Sequence, residues 1–320
     1  MKKILVTGAT GFIGTNFVKI LSKKNKVTGI YNKRLPRIKN KNIKYIKCDL
    51  QNLTKTKKIF SKFDIIFHAA GAVSAAKMTN DNPISAITTN LILTARVLEA
   101  AMVSNVKKIL IFSSGVTGYP YKKTNLTEND FWKNSPPNIY FGYGWMRRYL
   151  EILSEFVNSK SSSKVYICRP SAVYGEFDDF NDNTSHVIPA LIKRAINREN
   201  PFIVWGTGNE ERDFLYVDDL IYGCIKIINL GIHGKPYNIV FGRSIKIKEA
   251  VSDIFNSLSI KKNKAKIIFD KNKPVTVKIR KFSNSRAKNE IKFQPKIKFQ
   301  QGIKKTIAWY KKELHGKNNI

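Results

Sequence analysis

The stretch VTGATGFIG, residues 6–14, constrains this chain more than any other. It ends a short apolar run, KKILVTG (2–8), and opens FIGTNFVKILSKK (12–24), whose apolar residues recur at helical spacing. Gly8, Gly11 and Gly14 therefore lie in a turn between a buried strand and a helix. There the first glycine permits the tight turn, the second lets backbone approach a pyrophosphate, and the third lets helix and strand pack closely. The free N–H groups of the helix start, at the positive end of its dipole, favour an anion. A dinucleotide site on Gly8, Gly11, Phe12, Ile13 and Gly14 is expected.

The pattern that begins there continues. KVTGIY (26–31), IKYIKCDL (43–50), DIIFHAA (64–70), KKILIFSS (107–114) and KVYICRPSAVYG (164–175) read as strands. Helices fill the gaps, notably over 83–104 and from about residue 143 to 158. Such alternation predicts an α/β fold with a doubly wound parallel sheet, a Rossmann domain, over residues 1–175. After Gly175 the pattern loosens into a polar loop (176–186), a helix (187–198), a short strand (202–206) and a helix (217–231) with an aspartate N-cap and a glycine stop. Residues 176–320 are expected to form a smaller C-terminal α/β substrate domain, with about 212–240 returning to the first.

Charge raises a different possibility. Lys and Arg number 57 against 23 Asp and Glu, a formal net charge of +34. Clustered basic residues neutralise nucleic-acid phosphates. Here they are spread along the whole chain and are mostly lysine, without an aromatic RNA-binding motif, zinc knuckle or arginine-rich arm. No nucleic acid is expected as partner; the positive field suits small anionic ligands. No apolar run approaches the roughly 20 residues that span a bilayer, and no membrane partner is expected. Cys48, Cys168 and Cys224 are far apart and lack metal spacing, which suits a reduced, cytoplasmic protein.

The ends of the strands carry the remaining cofactor candidates. Lys33 and Arg34 follow the second strand, where an NAD site places an acid for the ribose 2′-hydroxyl; two bases favour the 2′-phosphate of NADP, with NAD possible. Asp49, with Leu50 beside it, ends the third strand where an adenine amino group is capped. Ala69, Ala70 and Gly71 close the fourth with small side chains that let a cofactor lie against backbone. Tyr143 and Arg147 are an i, i+4 pair on one helix face. With Ser113, at the end of IFSS, they place a hydroxyl, a phenol and a cation around one crevice, where a proton can be relayed as hydride moves.

VTGATGFIG, CDL, HAAG, TTN (88–90), IFSS, Tyr143 with a base at 147, RPSAVYG and RDFLYVDDL together resemble the extended short-chain dehydrogenase/reductase family, almost from end to end. Within it, SHVIPALIKRA and VWGTGNEERDFLYVDD look most like the GDP-L-fucose synthases. The resemblance implies a nucleoside-diphosphate sugar as substrate. By position it makes Ser113 the hydroxyl on the sugar's C4 oxygen, with Ser114 next to it, and Tyr143 the acid/base at C4. It makes His186 a second acid/base, Arg212 a grip on the diphosphate, and Asn90 a support of the catalytic centre; a homodimer would form through helices 83–104 and 143–158. Arg280, in VKIRKF, is a further candidate for reaching the nucleotide.

Three positions depart from the family or from the fucose synthases within it. Arg147 stands where relatives carry lysine, and a planar fork of donors is not equivalent to a compact ammonium. Gly115 stands where the fucose synthases have a cysteine that moves protons at C3 and C5, and Thr117 replaces a tyrosine. Reduction of a C4 ketone without epimerisation is the expectation. The alternatives are an NAD-dependent C4 epimerase or a non-catalytic NADP-binding relative.

Overall fold

In a computed structural model, residues 2–72, 84–121, 125–260, 265–273 and 275–317 are described. Strands β1 (Ile4–Thr7), β2 (Val27–Tyr31), β3 (Ile43–Lys47), β4 (Ile65–His68), β5 (Lys108–Phe112), β6 (Lys164–Pro170) and β10 (Pro236–Ile239) form one sheet in the order β10-β6-β5-β4-β1-β2-β3. Every pairing in it is parallel. The strand order reverses between β1 and β4, and the glycine turn lies at that reversal. In an open α/β sheet, this is where ligands bind, beyond the carboxyl ends of the strands.

Alternation along the strands covers both faces. Leu5, Ile66, Ile109, Ile111, Val165 and Ile167 point to one side, where helices α2 (Leu53–Phe60), α3 (Ser85–Val103) and α4 (Phe141–Lys160) lie. Ile4, Val6, Phe67, Leu110, Tyr166 and Cys168 point to the other, against α1 (Phe12–Leu21), α6 (Val217–Leu230) and α8 (Ser285–Ile291). Each such side chain contributes about 1.5–3 kcal/mol by leaving water. A second core joins α5 (Val187–Ile196), β8 (Phe202–Trp205), β9 (Glu211–Tyr216), α7 (Ile247–Ser257) and α9 (Phe299–Lys317). Around it, β9 lies between β7 (Ala172–Tyr174) and β11 (Ser244–Lys246), and β12 (Ile267–Asp270) pairs with β8.

Three expectations are corrected. The run 164–175 is two strands, because the chain turns at Ser171 after Pro170 and β7 leaves the main sheet to pair with β9. Helix α6 is capped by Tyr216, with Asp218 and Asp219 in its first turn. Asp219 instead holds a distant segment, accepting from the N–H groups of Lys296 (3.0 Å) and Ile297 (2.8 Å). Helix α3, at 19 residues with mean hydropathy 1.4, is by length and composition apolar enough to cross a bilayer. Its leucines, isoleucines, valines and alanines outweigh Asn90 and the threonines; in the fold Asn90, Thr94, Val97, Leu98 and Ala101 are buried.

Candidate active site

The carboxyl ends of β1–β5 bring the predicted cofactor residues to one edge of the sheet. Gly8 adopts φ +62°, and a Cβ there would lie 2.6 Å from the Ala70 backbone, so only glycine lets β1 and the end of β4 approach this closely. A side chain at Gly14 would overlap the Gly8 carbonyl. Gly11 caps α1, and among the described residues a Cβ there would meet only Gly8 O, at 3.4 Å, so its outer side is open. Ile13 packs on the main core and Phe12 on the second, fixing α1 between the two halves. This open glycine cradle at a helix start fits a pyrophosphate.

Lys33 and Arg34 follow β2 and are exposed. Asp49 is exposed beyond β3 and accepts from Gln51 N–H at 3.0 Å, whereas Leu50 is buried. Ala69 and Ala70 line the end of β4, and Gly71 lies under the Asn90 amide, where a Cβ would come within 2.7 Å of Oδ1.

Helices α3 and α4 pack side by side and carry the catalytic candidates. Arg147 donates through Nη2 to the Tyr143 phenol oxygen at 2.8 Å and through Nη1 to the Phe112 carbonyl at 2.9 Å. Asn90 donates to the same phenol oxygen at 3.4 Å while bonding Ala72 O and Ala86 O at 2.9 and 2.7 Å. Tyr143 thus receives two donors, and the acceptor below Arg147 is the residue next to Ser113. Ser113 Oγ and Arg147 Nε are buried without a partner, which a polar ligand in the crevice would satisfy. Ser114 Oγ accepts from Thr117 N–H at 3.0 Å, so that oxygen is turned into its own loop.

Arg148 takes no part: fully buried, it donates to Gly118 O at 3.0 Å and Asn134 O at 2.5 Å. His68 lies between Thr7 Oγ1 (2.8 Å) and Thr94 Oγ1 (3.3 Å). Burial, and then the charge of Arg147, push its pKa down to about 3, so it is neutral. It packs beneath the site and is not placed to act as an acid.

At Gly115 the N–H donates to Pro170 O at 3.0 Å, and a Cβ would overlap that oxygen. The absence of the family's cysteine is therefore built into the backbone: β5 and β6 close on each other there. His186 caps α5. It is exposed. Burial lowers its pKa and Asp179 opposes the drop; contact with water limits the first effect. No bond joins His186 to Tyr143 or Arg147.

Arg212 donates to Glu211 O (2.8 Å), Lys278 O (3.2 Å) and Thr276 Oγ1 (2.9 Å). Arg280, fully buried, donates to Pro120 O at 2.7 Å and Tyr119 O at 3.1 Å and lies over the Tyr140 ring. Burial chiefly, and then the nearby charge of Arg212, lower its pKa to about 10. Two neighbouring guanidiniums whose bonded partners are all neutral form an electropositive spot suited to a dianion. The sequence offered Arg280 as one candidate among many bases; its burial singles it out.

Asp178, in the polar loop before α5, is not solvated as the run of acids there suggests. It is buried, its Oδ2 has no partner, and burial raises its pKa to about 8. In the sequence it sat among exposed-looking acids, and nothing in the spacing separated it from Asp179 or Asp182.

The family model for the NAD dependent epimerase/dehydratase family matches residues 4–240. The chain is 28% identical to GDP-L-colitose synthase of Yersinia pseudotuberculosis over 99% of each chain. It is 24% identical to dTDP-4-dehydro-6-deoxy-D-allose reductase of Streptomyces sp over 97% of this chain and 96% of the relative. In fold it is similar to the crystal structure of UDP-glucose 4-epimerase from Thermotoga maritima, with a TM-score of 0.85 at 24% identity, covering 98% and 99% of the two chains. The chain belongs to the NAD-dependent epimerase/dehydratase family, within the extended short-chain dehydrogenases/reductases, and is an NAD(P)-dependent enzyme of the kind its relatives are, nucleotide-sugar reductases and epimerases.

Proposed function

We propose that this enzyme uses NADPH to reduce the C4 ketone of a nucleoside-diphosphate 4-keto-6-deoxy sugar. The observation that carries the reading is the cluster of Arg147, Asn90 and Tyr143 beside the unpartnered Ser113 hydroxyl. The bound nicotinamide supplies the hydride. Ser113 holds the C4 oxygen, and Tyr143 gives its proton to that oxygen as negative charge develops there. Arg147 stabilises the resulting phenolate through its direct hydrogen bond. Arg212 takes the diphosphate, with the buried charge of Arg280 beside it, holding the sugar so that C4 faces the phenol.

Gly115 favours plain reduction. No titratable side chain fits at that position, and His186 has no thiol with which to exchange protons at C3 and C5. The substrate would then arrive with those centres already set. Lys33 and Arg34 favour the 2′-phosphate of NADP over NAD. The allose reductase among the relatives, named for reducing a dTDP-4-dehydro-6-deoxy sugar, and the colitose synthase, named for a GDP sugar, support this substrate class.

The enzyme works as a homodimer in this reading. Helix α4 exposes Trp145, Tyr149, Ile152 and Phe156 at 40, 52, 51 and 54% of their surfaces, an apolar stripe at helical spacing beside Ile92 and Val103 of α3. Such a stripe is covered in solution by a partner, and a second copy of the same face is self-complementary under two-fold symmetry. Incubating the protein with NADPH and a panel of GDP-, dTDP- and UDP-4-keto-6-deoxy hexoses tests the function. Oxidation of the cofactor with one of them supports it; cofactor binding without turnover across the panel contradicts it.

A further inference from the structure

Four segments meet around one arginine outside the Tyr143 cluster. Arg37, in the loop after β2, places its guanidinium 5.3 Å from the ring centroid of Phe177 and 5.6 Å from that of Trp309. It also donates to Glu313 at 3.0 Å. Phe177 and Trp309 touch at 5.2 Å between centroids, Phe180 stacks on Tyr310 at 3.8 Å, and Lys19 of α1 pairs with Glu176. Phe177 holds φ +68°, a left-handed conformation unusual for an aromatic residue and one that persists only where surrounding contacts impose it.

Stability alone accounts poorly for this arrangement. The Arg37–Glu313 side chains are 39% and 37% exposed, and exposed pairs contribute little. In a chain with 57 basic and 23 acidic residues, an unpaired arginine is the ordinary case. Here two of the scarce acids, Glu176 and Glu313, and two aromatic faces converge on a single junction. What the junction joins is informative. Arg37 lies four residues after Lys33 and three after Arg34, in the loop that meets the ribose end of a cofactor in this fold. Phe177 lies nine residues before His186, in the loop that leads to the sugar side of the cleft. Asn16, on α1 just past the glycine turn, also ties to that second loop, donating to Glu176 O at 2.8 Å.

We propose that Arg37 is a positioning residue that couples the two loops: a cofactor ordering residues 32–40 thereby orders 176–186, and the reverse. This rests on the cofactor reading above. Arg37 touches neither ligand; it carries ordering through its contacts with the Phe177 and Trp309 rings, anchored by Glu313. Lysine keeps the charge but lacks the plane, so it restores the coupling only in part.

The test is hydrogen–deuterium exchange on the full-length protein, with and without saturating NADPH, together with NADPH titrations. The variants are Arg37→Ala, Arg37→Lys and, as a control for loss of charge, Lys235→Ala, which breaks a comparable pair with Glu290. In the wild type and in Lys235→Ala, NADPH is expected to slow exchange in both 32–40 and 176–186. In Arg37→Ala it slows exchange in 32–40 alone, and NADPH binds about five- to tenfold more weakly, a modest coupling between sites. Arg37→Lys falls between. Equal protection of 176–186 in the wild type and Arg37→Ala overturns the proposal, as does weakening of the same size in Lys235→Ala. Failure of the wild type to bind NADPH or NADH is a separate outcome that removes the cofactor reading and the coupling with it.

Discussion

Arg147 donates to the phenol oxygen of Tyr143 at 2.8 Å and to the carbonyl of Phe112 at 2.9 Å, so one guanidinium ties the catalytic helix to the strand that ends at Ser113. A lysine at this position has no fork and cannot hold both acceptors in one plane. The substitution of the family's lysine thus keeps the cation and adds a fixed orientation of the phenol.

Replacing Arg147 by methionine removes both bonds and the charge. Turnover is expected to fall about 10²–10⁴-fold, the ordinary contribution of a positioned acid–base group, while cofactor still binds. Arg147→Lys should retain turnover within about tenfold, since the charge near Tyr143 survives while the bond to Phe112 O is weakened. Steady-state kinetics of the two variants, with NADPH titrations to measure binding, check this.

The bases after β2 set cofactor choice in this account. Changing Lys33 and Arg34 together to alanine is expected to weaken NADPH about tenfold or more while leaving NADH nearly unchanged, since a charged contact to phosphate is worth about 1.5–3 kcal/mol. Comparison of kcat/KM for the two cofactors measures it.

Gly115→Cys restores the thiol of the fucose synthases in sequence but not in space. Its Cβ meets the Pro170 carbonyl, so β5 and β6 must separate. A loss of about 1–3 kcal/mol of stability is expected, seen as a lower melting temperature, with no gain of solvent-proton exchange at C3 or C5 of the sugar.

Asp178 gives a pH signature. Its carboxyl titrates at about 8 when folded, against about 4 when unfolded, so folding takes up a proton between those values. The stability it contributes is fully present at low pH and is lost as pH rises from about 4 through about 8. Asp178→Asn should therefore match the wild type near pH 4 and exceed it near pH 8. Melting temperatures at pH 4, 6 and 8 decide this; parallel curves for the two proteins would contradict it.

The sheet was legible because each strand is a short β-branched run and each helix keeps its apolar period, as with Ile109 and Ile111 facing α3 while Leu110 faces α6. The glycine turn was legible because its glycines answer to close approaches of backbone, Gly8 to Ala70 and Gly14 to Gly8. The break at Ser171 was missed although Pro170 and Ser171 mark it, because the β-branched and aromatic residues on either side read as one continuous strand. Asp219 looked like a cap since it opens a helix, and its tie to Lys296 and Ile297 is a contact between residues 77 and 78 positions apart. Arg37 was hidden by composition, and the burial of Arg280 was not readable from it: in so basic a chain, a buried arginine and an exposed one look alike until their neighbours are known.

The central claim is that hydride reaches C4 of a keto sugar while Tyr143 protonates the oxygen. It is tested most directly with NADPH carrying deuterium at nicotinamide C4, prepared in both stereochemical forms, and the panel of 4-keto-6-deoxy nucleotide sugars. The account predicts deuterium at C4 of the product from one of the two forms, with Tyr143→Phe binding NADPH but transferring little. Product without label at C4 from either form, or undiminished transfer in Tyr143→Phe, would contradict it.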